Sequence, residues 1–367
     1  MKEKALELLN IFYDNGYEAY IVGGFVRDAL LGRESYDIDI CTNATPKDIK
    51  EIFKNVDLPH EEYGSVHLTY KKVNFEITTY RLDLEYKDKR KPSKIFYTNK
   101  LIIDLKRRDF TVNTICMDKD GNILDLLNAK EDLKNKVLKV VGDANKKLDD
   151  DALRILRAIR FSMELKFEMD ESLKKAIINN RKGLERLSFD RKKQELQRIF
   201  SSKNSSLGIS LLREFELDKY LGINLNKYIV ITNDPLGIWA QINPSDKYTF
   251  TSNEKTYLKA ILRVLEAGNI NDIVLYKEGN YVCSIACNIL KIDESVIHNR
   301  FESLPIKKQS DIKINGKDII ELLNPKDMKI IKTIINDIEE KIIYRKLNNE
   351  KEELIKYIID TYQNNVI

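Results

Sequence analysis

Asp37 and Asp39 stand one residue apart in the apolar run "YDIDIC", and no other pair in the chain carries more chemistry. The intervening Ile38 sends both carboxylates to the same side of any strand that contains them. Two aspartates so placed can hold one or two Mg²⁺ ions by oxygen ligation, so that the metal bridges a nucleotide's phosphates and activates an attacking hydroxyl. Sugar-nucleotide glycosyltransferases use the same Asp-x-Asp spacing, and a solvated strand edge produces it with no chemistry at all. Upstream, Gly23 and Gly24 lie between a strand signal and a helix signal, where free backbone N–H groups favour a phosphate. Arg27, one turn into that helix, can add charge to the same phosphate. A tight strand-to-helix turn with a surface arginine would look the same in isolation. Glycines and aspartates together favour a triphosphate-metal site.

Two further clusters follow. In "DLKRRDFTVNTICMD", Arg107, Arg108 and Asp109 are costly to bury and useful near a phosphate or ribose. The flanking Phe110, Val112 and Ile115 argue that the segment packs, which would hold at least one arginine near a cleft. In "LDDDALRILRAIRF", Asp151 and Arg154 are spaced i,i+3, which on a helix gives them one face that Arg157 and Arg160 continue. A carboxylate beside a guanidinium matches the Watson–Crick edge of cytosine or adenine, accepting from the exocyclic amine while the arginine donates to the ring nitrogen. Uracil and guanine would present a carbonyl to the carboxylate instead. Spacing alone is equally met by a surface salt bridge worth a few tenths of a kcal/mol.

The elements that must position these residues are legible in outline. "EAYIVGG" reads as a strand, "FVRDALLG" as a helix stopped at Gly32, and "YDIDIC" as a second strand. "TPKDIKEIF" starts a helix with Thr45 as N-cap, Pro46 first and Asp48 in the first turn. "GSVHLTY" and "VNFEITTY" alternate as paired strands around "KKVN". Arg81 to Asn99 is charged and aperiodic and reads as a mobile loop. After about Gly142 the strand signals nearly vanish, "DALRILRAIRFSMEL" is amphipathic at helical period, and Lys/Glu-rich helices follow. "SSKNSS" (Ser201 to Ser206) reads as a hinge. Asn224 to Asn253 has no clear period, and the tail from Lys326 is helical again.

The 367 residues are 43% hydrophobic and 33% charged, which excludes extended disorder and leaves room for two or more cores. A net charge of +4 provides no global field for nucleic acid, so RNA contact would need local Lys/Arg clusters. No apolar run approaches a membrane span and "MKEKALELLN" reads as an amphipathic helix, making a cytoplasmic location without membrane contact the default. Cys41, Cys116, Cys283 and Cys287 read as buried thiols, because three histidines and this spacing do not make a zinc site. No His-Asp doublet occurs, which argues against a phosphohydrolase built on one.

In this order the clusters resemble the class II CCA-adding enzymes, tRNA nucleotidyltransferases of the polymerase β superfamily, and their relatives the bacterial poly(A) polymerases. "IVGGFVRDALLGRESYDIDICTNA" looks like the first family motif, "RRDFTVN" the ribose-selecting motif, and "GNILDLLNAKEDL" the segment between head and neck. "DDALRILRAIRF" is similar to the base-reading motif and "LSFDRKKQELQRIF" to the motif after it; Asp150 and Asp190 stand where the family usually has glutamate. "SLPIKKQSDIKINGKDII" resembles part of the bacterial tail. The resemblance implies an α+β protein: a small mixed-sheet nucleotidyltransferase head (1–141), then an all-helical neck (142–204), body (205–299) and tRNA-binding tail (300–367). It implies Mg²⁺ on Asp37 and Asp39 as catalytic ligands. Gly23, Gly24, Arg27 and Arg108 would contact the nucleotide, Asp151 and Arg154 would read the base, and Arg157 and Arg160 would line the pocket. The substrates would be CTP, ATP and a tRNA 3′ end, with no protein partner implied. A-adding or poly(A) activity shares these motifs, and a non-catalytic RNA-binding protein is a remoter alternative. Arg81, Tyr86, Asp88, Arg90 and Pro92 match the pattern of a family loop that enzymes adding only CC are expected to lack.

Overall fold

The computed structural model describes residues 1–53, 56–60, 64–87 and 91–363. The chain divides into two compact units, Met1–Gly222 and Ile223–Ile367, so the segments expected as head and neck share one body. The first unit opens with α1 (Lys2–Asp14), β1 (Ala19–Val22), α2 (Gly24–Leu30), β2 (Asp39–Thr42), α3 (Pro46–Ile52), β3 (Val56–His60), β4 (Ser65–Tyr70) and β5 (Val73–Thr79). It continues with β6 (Arg81–Lys87), β7 (Lys91–Tyr97), α4 (Leu101–Arg107), β8 (Cys116–Met117), β9 (Ile123–Leu124) and α5 (Ala129–Lys134). Seven strands form one sheet in the order β3-β4-β5-β2-β1-β8-β9. All neighbours are antiparallel except β2 and β5, which run parallel. The sheet is mixed, as the resemblance implies.

Local chemistry explains the pieces. Thr45 and Asp48 make a reciprocal capping box with Pro46 at the helix start, satisfying orphan N–H groups of α3. Lys71 and Lys72 both take positive φ (46° and 66°), the backbone that a two-residue hairpin turn between β4 and β5 requires. Ile21 and Val22 of β1 are fully buried, as a central strand should be.

One expectation fails here. Arg81 to Asn99 is not a loop over its described part but the antiparallel hairpin β6–β7, pairing Arg81 with Tyr97 and Leu82 with Phe96. Leu82, Leu84 and Tyr86 do alternate, but charged residues between them hide the period of two. Asp88 and Arg90 lie outside the described residues. The "GNILDLLNAKEDL" segment likewise belongs to the head: it supplies β9 and α5, and Asp132 accepts from the Thr111 hydroxyl at 2.7 Å.

Helices α6 (Ala144–Asp150), α7 (Leu153–Leu165), α8 (Glu171–Asn180), α9 (Phe189–Phe200), α10 (Ser205–Glu214) and α11 (Asp218–Leu221) complete the unit. The two-residue strands β10 (Val137–Leu138) and β11 (Glu168–Met169) pair in parallel beside them. Among the described residues β11 is the only strand after Gly142. Ser201 to Ser206 is not a hinge. Ser205 is buried and the Asn204 amide donates to the Met163 carbonyl at 3.1 Å, tying the turn to α7.

The second unit is helical: α12 (Pro235–Gln241), α13 (Ser252–Ala267), α14 (Asp272–Leu290), α15 (Glu294–Glu302), α16 (Gly316–Leu323), α17 (Lys329–Ile343) and α18 (Lys351–Tyr362). Gly279 breaks α14 with φ of 80°. All four cysteines are free and buried. Among the described residues no helix is long and apolar enough to cross a membrane.

Gly208 shows how tightly α10 sits on α7 and α9. A Cβ there would lie 2.6 Å from the Ile199 Cγ2 and 2.6 Å from the Met163 sulfur. Helix propensity favours alanine by about 1 kcal/mol. Overpacking costs roughly 1–3 kcal/mol, and fully buried Ile199 has little room to move. Gly208→Ala should therefore lower the unfolding free energy in a urea titration; a more stable variant would contradict this packing.

Candidate active site

β2 begins at Asp39, so Asp37 lies just before the strand, yet the alternation survives: Asp37 and Asp39 are exposed, Ile38 and Ile40 buried. Both aspartates line an open cleft of about 520 Å³ with His67, Thr69 and Glu76. The parallel pairing of β2 and β5 places Glu76 opposite Asp39 in register. The Ser65 hydroxyl donates to Glu76 at 2.9 Å. Burial holds the Asp39 carboxyl above its ordinary range, and Glu76 and then Asp37 add to this against the opposing charge of Arg108. A site that raises a carboxylate's pKa by crowding negative charge is one that a cation relieves.

These donors suit a hard divalent ion. Among the described residues no three or more His, Cys, Asp or Glu side chains form a ready metal cluster. Mg²⁺ does not need one, because it binds through one or two carboxylates and completes its shell with water and substrate phosphates. Asp37 and Asp39 fit that open arrangement.

The glycine turn closes over this cleft. Gly23 takes φ of 83°, and a Cβ there would lie 3.5 Å from Asp39 Oδ2 and 3.7 Å from Arg108 Nη1. Any larger residue would be strained and would press on both groups. Gly24 starts α2, where an added Cβ would meet Arg27 Nη2 at 3.6 Å. Arg108 packs at the end of α4 with Nη2 3.4 Å from the buried Asp104 carboxylate, while its Nε is buried without a partner. Burial opposes its charge, but Asp104 and the other negative groups around it, Asp39 included, hold its pKa up.

Arg27 is buried rather than free. Its Nε and Nη2 donate to Asp28 at 2.9 Å each, and Nη1 donates to Asn113 at 2.7 Å. The Asn113 amide in turn donates to Asp109 at 3.2 Å. Asp109 also accepts from Arg157 Nε at 2.8 Å and Nη2 at 2.6 Å. Burial alone would push the Asp109 carboxyl up, but the Arg157 charge and the bonds from Arg157, Asn113 and the Phe110 amide bring it down to about 2.

The third cluster is arranged differently from its spacing. Asp151 is not on α7 but in extended backbone between α6 and α7, so the shared-face reading does not hold for it. Its carboxylate accepts from Arg191 at 3.0 Å, whereas Arg154 donates to the Lys147 carbonyl at 2.7 Å. Arg160 faces inward to Glu195 (2.8 Å) and Glu164 (3.2 Å) and is buried, so it supports the wall instead of opening into a pocket. The structure thus joins Asp37 and Asp39 at one cleft, brings Gly23 and Arg108 beside Asp39, and links Arg27 to Arg157 through Asp109.

Two residues that the spacing did not single out belong to this set. Glu76 was available in the alternation of "VNFEITT", as a carboxylate on the polar face of a strand parallel to the aspartates. Phe161 carries three guanidinium groups on its ring, Arg27 at 5.4 Å, Arg157 at 5.3 Å and Arg160 at 4.3 Å from the centroid. It also meets Phe110 edge-on at 5.5 Å. No pattern in the sequence marks it apart from an ordinary core phenylalanine.

Comparison with known proteins is consistent along the whole chain. Residues 19–139 match the "Poly A polymerase head domain" family, residues 166–224 "Probable RNA and SrmB- binding site of polymerase A", and residues 248–358 "tRNA nucleotidyltransferase domain 2". The CCA-adding enzyme of Ligilactobacillus salivarius is 33% identical, the alignment covering 96% of this chain and 95% of that one. That of Staphylococcus haemolyticus is 32% identical over 97% of each. The crystal structure of the Bacillus stearothermophilus CCA-adding enzyme in complex with CTP superposes with a TM-score of 0.87 at 26% identity, covering 99% of this chain and 98% of that one.

The Asp109–Arg157 pair can be tested without any substrate. Asp109→Asn leaves Arg157 without its counter-charge and should cost about 2–3 kcal/mol at neutral pH, less than a fully dry pair because Arg157 is 31% exposed. The folded pKa is depressed, so the stabilisation is present above the unfolded value of about 4 and is lost as pH falls towards about 2. Urea unfolding of both proteins across that range should show the gap closing on acidification. A gap that stays constant would mean that Asp109 does not titrate as this geometry requires.

Proposed function

The chain belongs to the family of CCA-adding enzymes, which are tRNA nucleotidyltransferases, and we propose that it adds CCA to the 3′ end of tRNA from CTP and ATP. The observation that carries the reading is the cleft in which Asp37 and Asp39, with Glu76 across from Asp39, face Gly23 and Arg108. It accounts for the sequence motifs chemically. In nucleotidyl transfer the 3′-hydroxyl oxygen attacks the α-phosphorus, the bond to the bridging oxygen breaks, and pyrophosphate leaves. Gly23 and Gly24 let the triphosphate approach the backbone, and Arg108, close to Asp39, offsets its charge. Asp37 and Asp39 would hold Mg²⁺, which would supply neutralisation of the developing charge and activation of the hydroxyl. The Asp109 bridge fixes Arg27 and Arg157 along the same wall. Asp151 and Arg154 read cytosine or adenine by the donor–acceptor match derived above, with Arg191 holding Asp151 and spare lone pairs left for the base amine. The motifs also suit an A-adding or poly(A) enzyme. The hairpin β6–β7 occupies the segment that enzymes adding only CC are expected to lack, which favours full CCA addition.

The deciding assay gives a tRNA lacking its 3′ end to the purified protein with CTP, with ATP, and with both, and reads product lengths. Two additions with CTP and a third only with ATP present are expected. Long A tails on any RNA, or failure to use CTP, would replace this reading with one of its relatives. Asp39→Ala should abolish addition while changing unfolding free energy by no more than about 1 kcal/mol, since the residue is exposed at the cleft and in no salt bridge among the described residues. Full activity in that variant would remove Asp39 from the chemistry.

tRNA contact is expected partly from the last helices. Lys313 and Lys351 there are paired with Glu350 and Asp318, whereas Lys317, Lys329, Lys332 and Lys356 on α16 to α18 are in no such pair among the described residues. Affinity for tRNA should fall linearly in log–log form with salt. A flat response between low and physiological salt would exclude these lysines as phosphate contacts.

A further inference from the structure

A second polar cavity in the first unit, of about 350 Å³, opens where α9 starts, lined in part by Asp149, Asn180, Lys182, Arg186, Ser188 and Arg191. We propose that it is a phosphate-binding subsite for the backbone of the RNA substrate, a proposal that rests on the reading of the substrate as tRNA.

Three features converge. Lys182, Arg186 and Arg191 bring three cations to one small opening against a single lining carboxylate, Asp149. Arg191 spends Nη2 on Asp151, but its Nη1 is buried without a partner, and so is the Ser188 hydroxyl. Ser188 is the N-cap residue of α9, yet its side chain does not cap the helix. Buried donors are normally satisfied, and two orphans on residues that line one cation-rich cavity are donors that an incoming anion would satisfy. The amides of the first turn of this twelve-residue helix add a partial positive charge beside them.

The chemistry selects a phosphate over a carboxylate, because a hydroxyl, a forked guanidinium and two mobile cations suit an anion with several oxygens. It selects a backbone phosphate over the nucleotide's own, because none of the residues around Asp37 and Asp39 lines this cavity. Lys182 and Arg186 are exposed at its rim, as a site for a passing polymer requires. The cavity also lies within residues 166–224, the stretch matching a polymerase RNA-binding family. Arg191 makes the site consequential. The same guanidinium that would meet a phosphate holds the proposed base reader Asp151, so seating of the RNA and presentation of the carboxylate share one side chain.

Lys182→Ala/Arg186→Ala removes two exposed charges and should leave thermal unfolding unchanged. Fluorescence anisotropy with a labelled tRNA lacking CCA, titrated into the full chain at several salt concentrations, reads binding without turnover. The affinity should fall, and the slope of log affinity against log salt should shrink by about 2, one for each lost contact. Ser188→Ala should weaken binding with little change of slope, since it removes a neutral donor. The Michaelis constant for CTP at saturating tRNA should not change. An unchanged tRNA affinity and slope in the double variant would overturn the proposal. A raised constant for CTP with unchanged tRNA binding would overturn it too, assigning the cavity to nucleotide phosphate. Because wild-type binding is measured without addition, failure here is distinct from failure of the CCA-adding assignment.

Discussion

Asp109 is the constraint on which the rest depends. Several arginines close together in one wall are costly, because they repel one another and resist burial. This chain places Arg27, Arg157 and Arg160 around the single ring of Phe161. Each is then given a counter-charge: Asp28 to Arg27, Asp109 to Arg157, and Glu195 to Arg160. Asp109 does so while joining three separate segments, through Asn113 to Arg27 on one side and directly to α7 on the other. The Phe161 ring separates the guanidinium groups and returns part of their lost hydration through its π face.

The same logic fastens α7 along its length. Lys147 donates to the Lys106 and Arg108 carbonyls at 2.8 and 3.1 Å, anchoring the approach to its start on the end of α4. Arg33, between α2 and Asp37, donates to the Glu164 and Leu165 carbonyls at 3.1 and 3.2 Å, filling acceptors that the end of α7 leaves open. With Asp109 in the middle, the helix carrying Arg154, Arg157 and Arg160 is held at three points by the segments that carry Arg108 and Asp37. This is why the expected head and neck fall within one body, Met1–Gly222.

What could be read in the sequence followed from short-range physics. The Asp-x-Asp alternation, the capping box at Thr45 and the turn at Lys71 and Lys72 each depend on a few adjacent residues, and each is found where it was placed. What could not be read depended on partners distant in the chain. Glu76 gains meaning only from its register with Asp39, Phe161 only from three arginines of which one is far upstream, and Asp151 only from Arg191. Arg160 was misplaced for the same reason, since Glu195 lies on another helix. The hairpin β6–β7 was missed for a different one: the charged residues interleaved in its sequence imitate the composition of a loop.

The strand order carries a consequence for how the protein is made. Asp39 meets Glu76 only through the parallel β2–β5 contact, and β1 completes its second edge only when Val22 meets Cys116. Arg157, which locks Asp109, comes later still. Contacts of such long separation close slowly, because loop entropy must be overcome before they return any energy. The carboxylate cleft is therefore a late product of folding. On the ribosome, the first motif emerges well before the chain that completes it, so the nascent protein acquires the full geometry of this cleft and its supporting wall only after the start of the helical region has been synthesised.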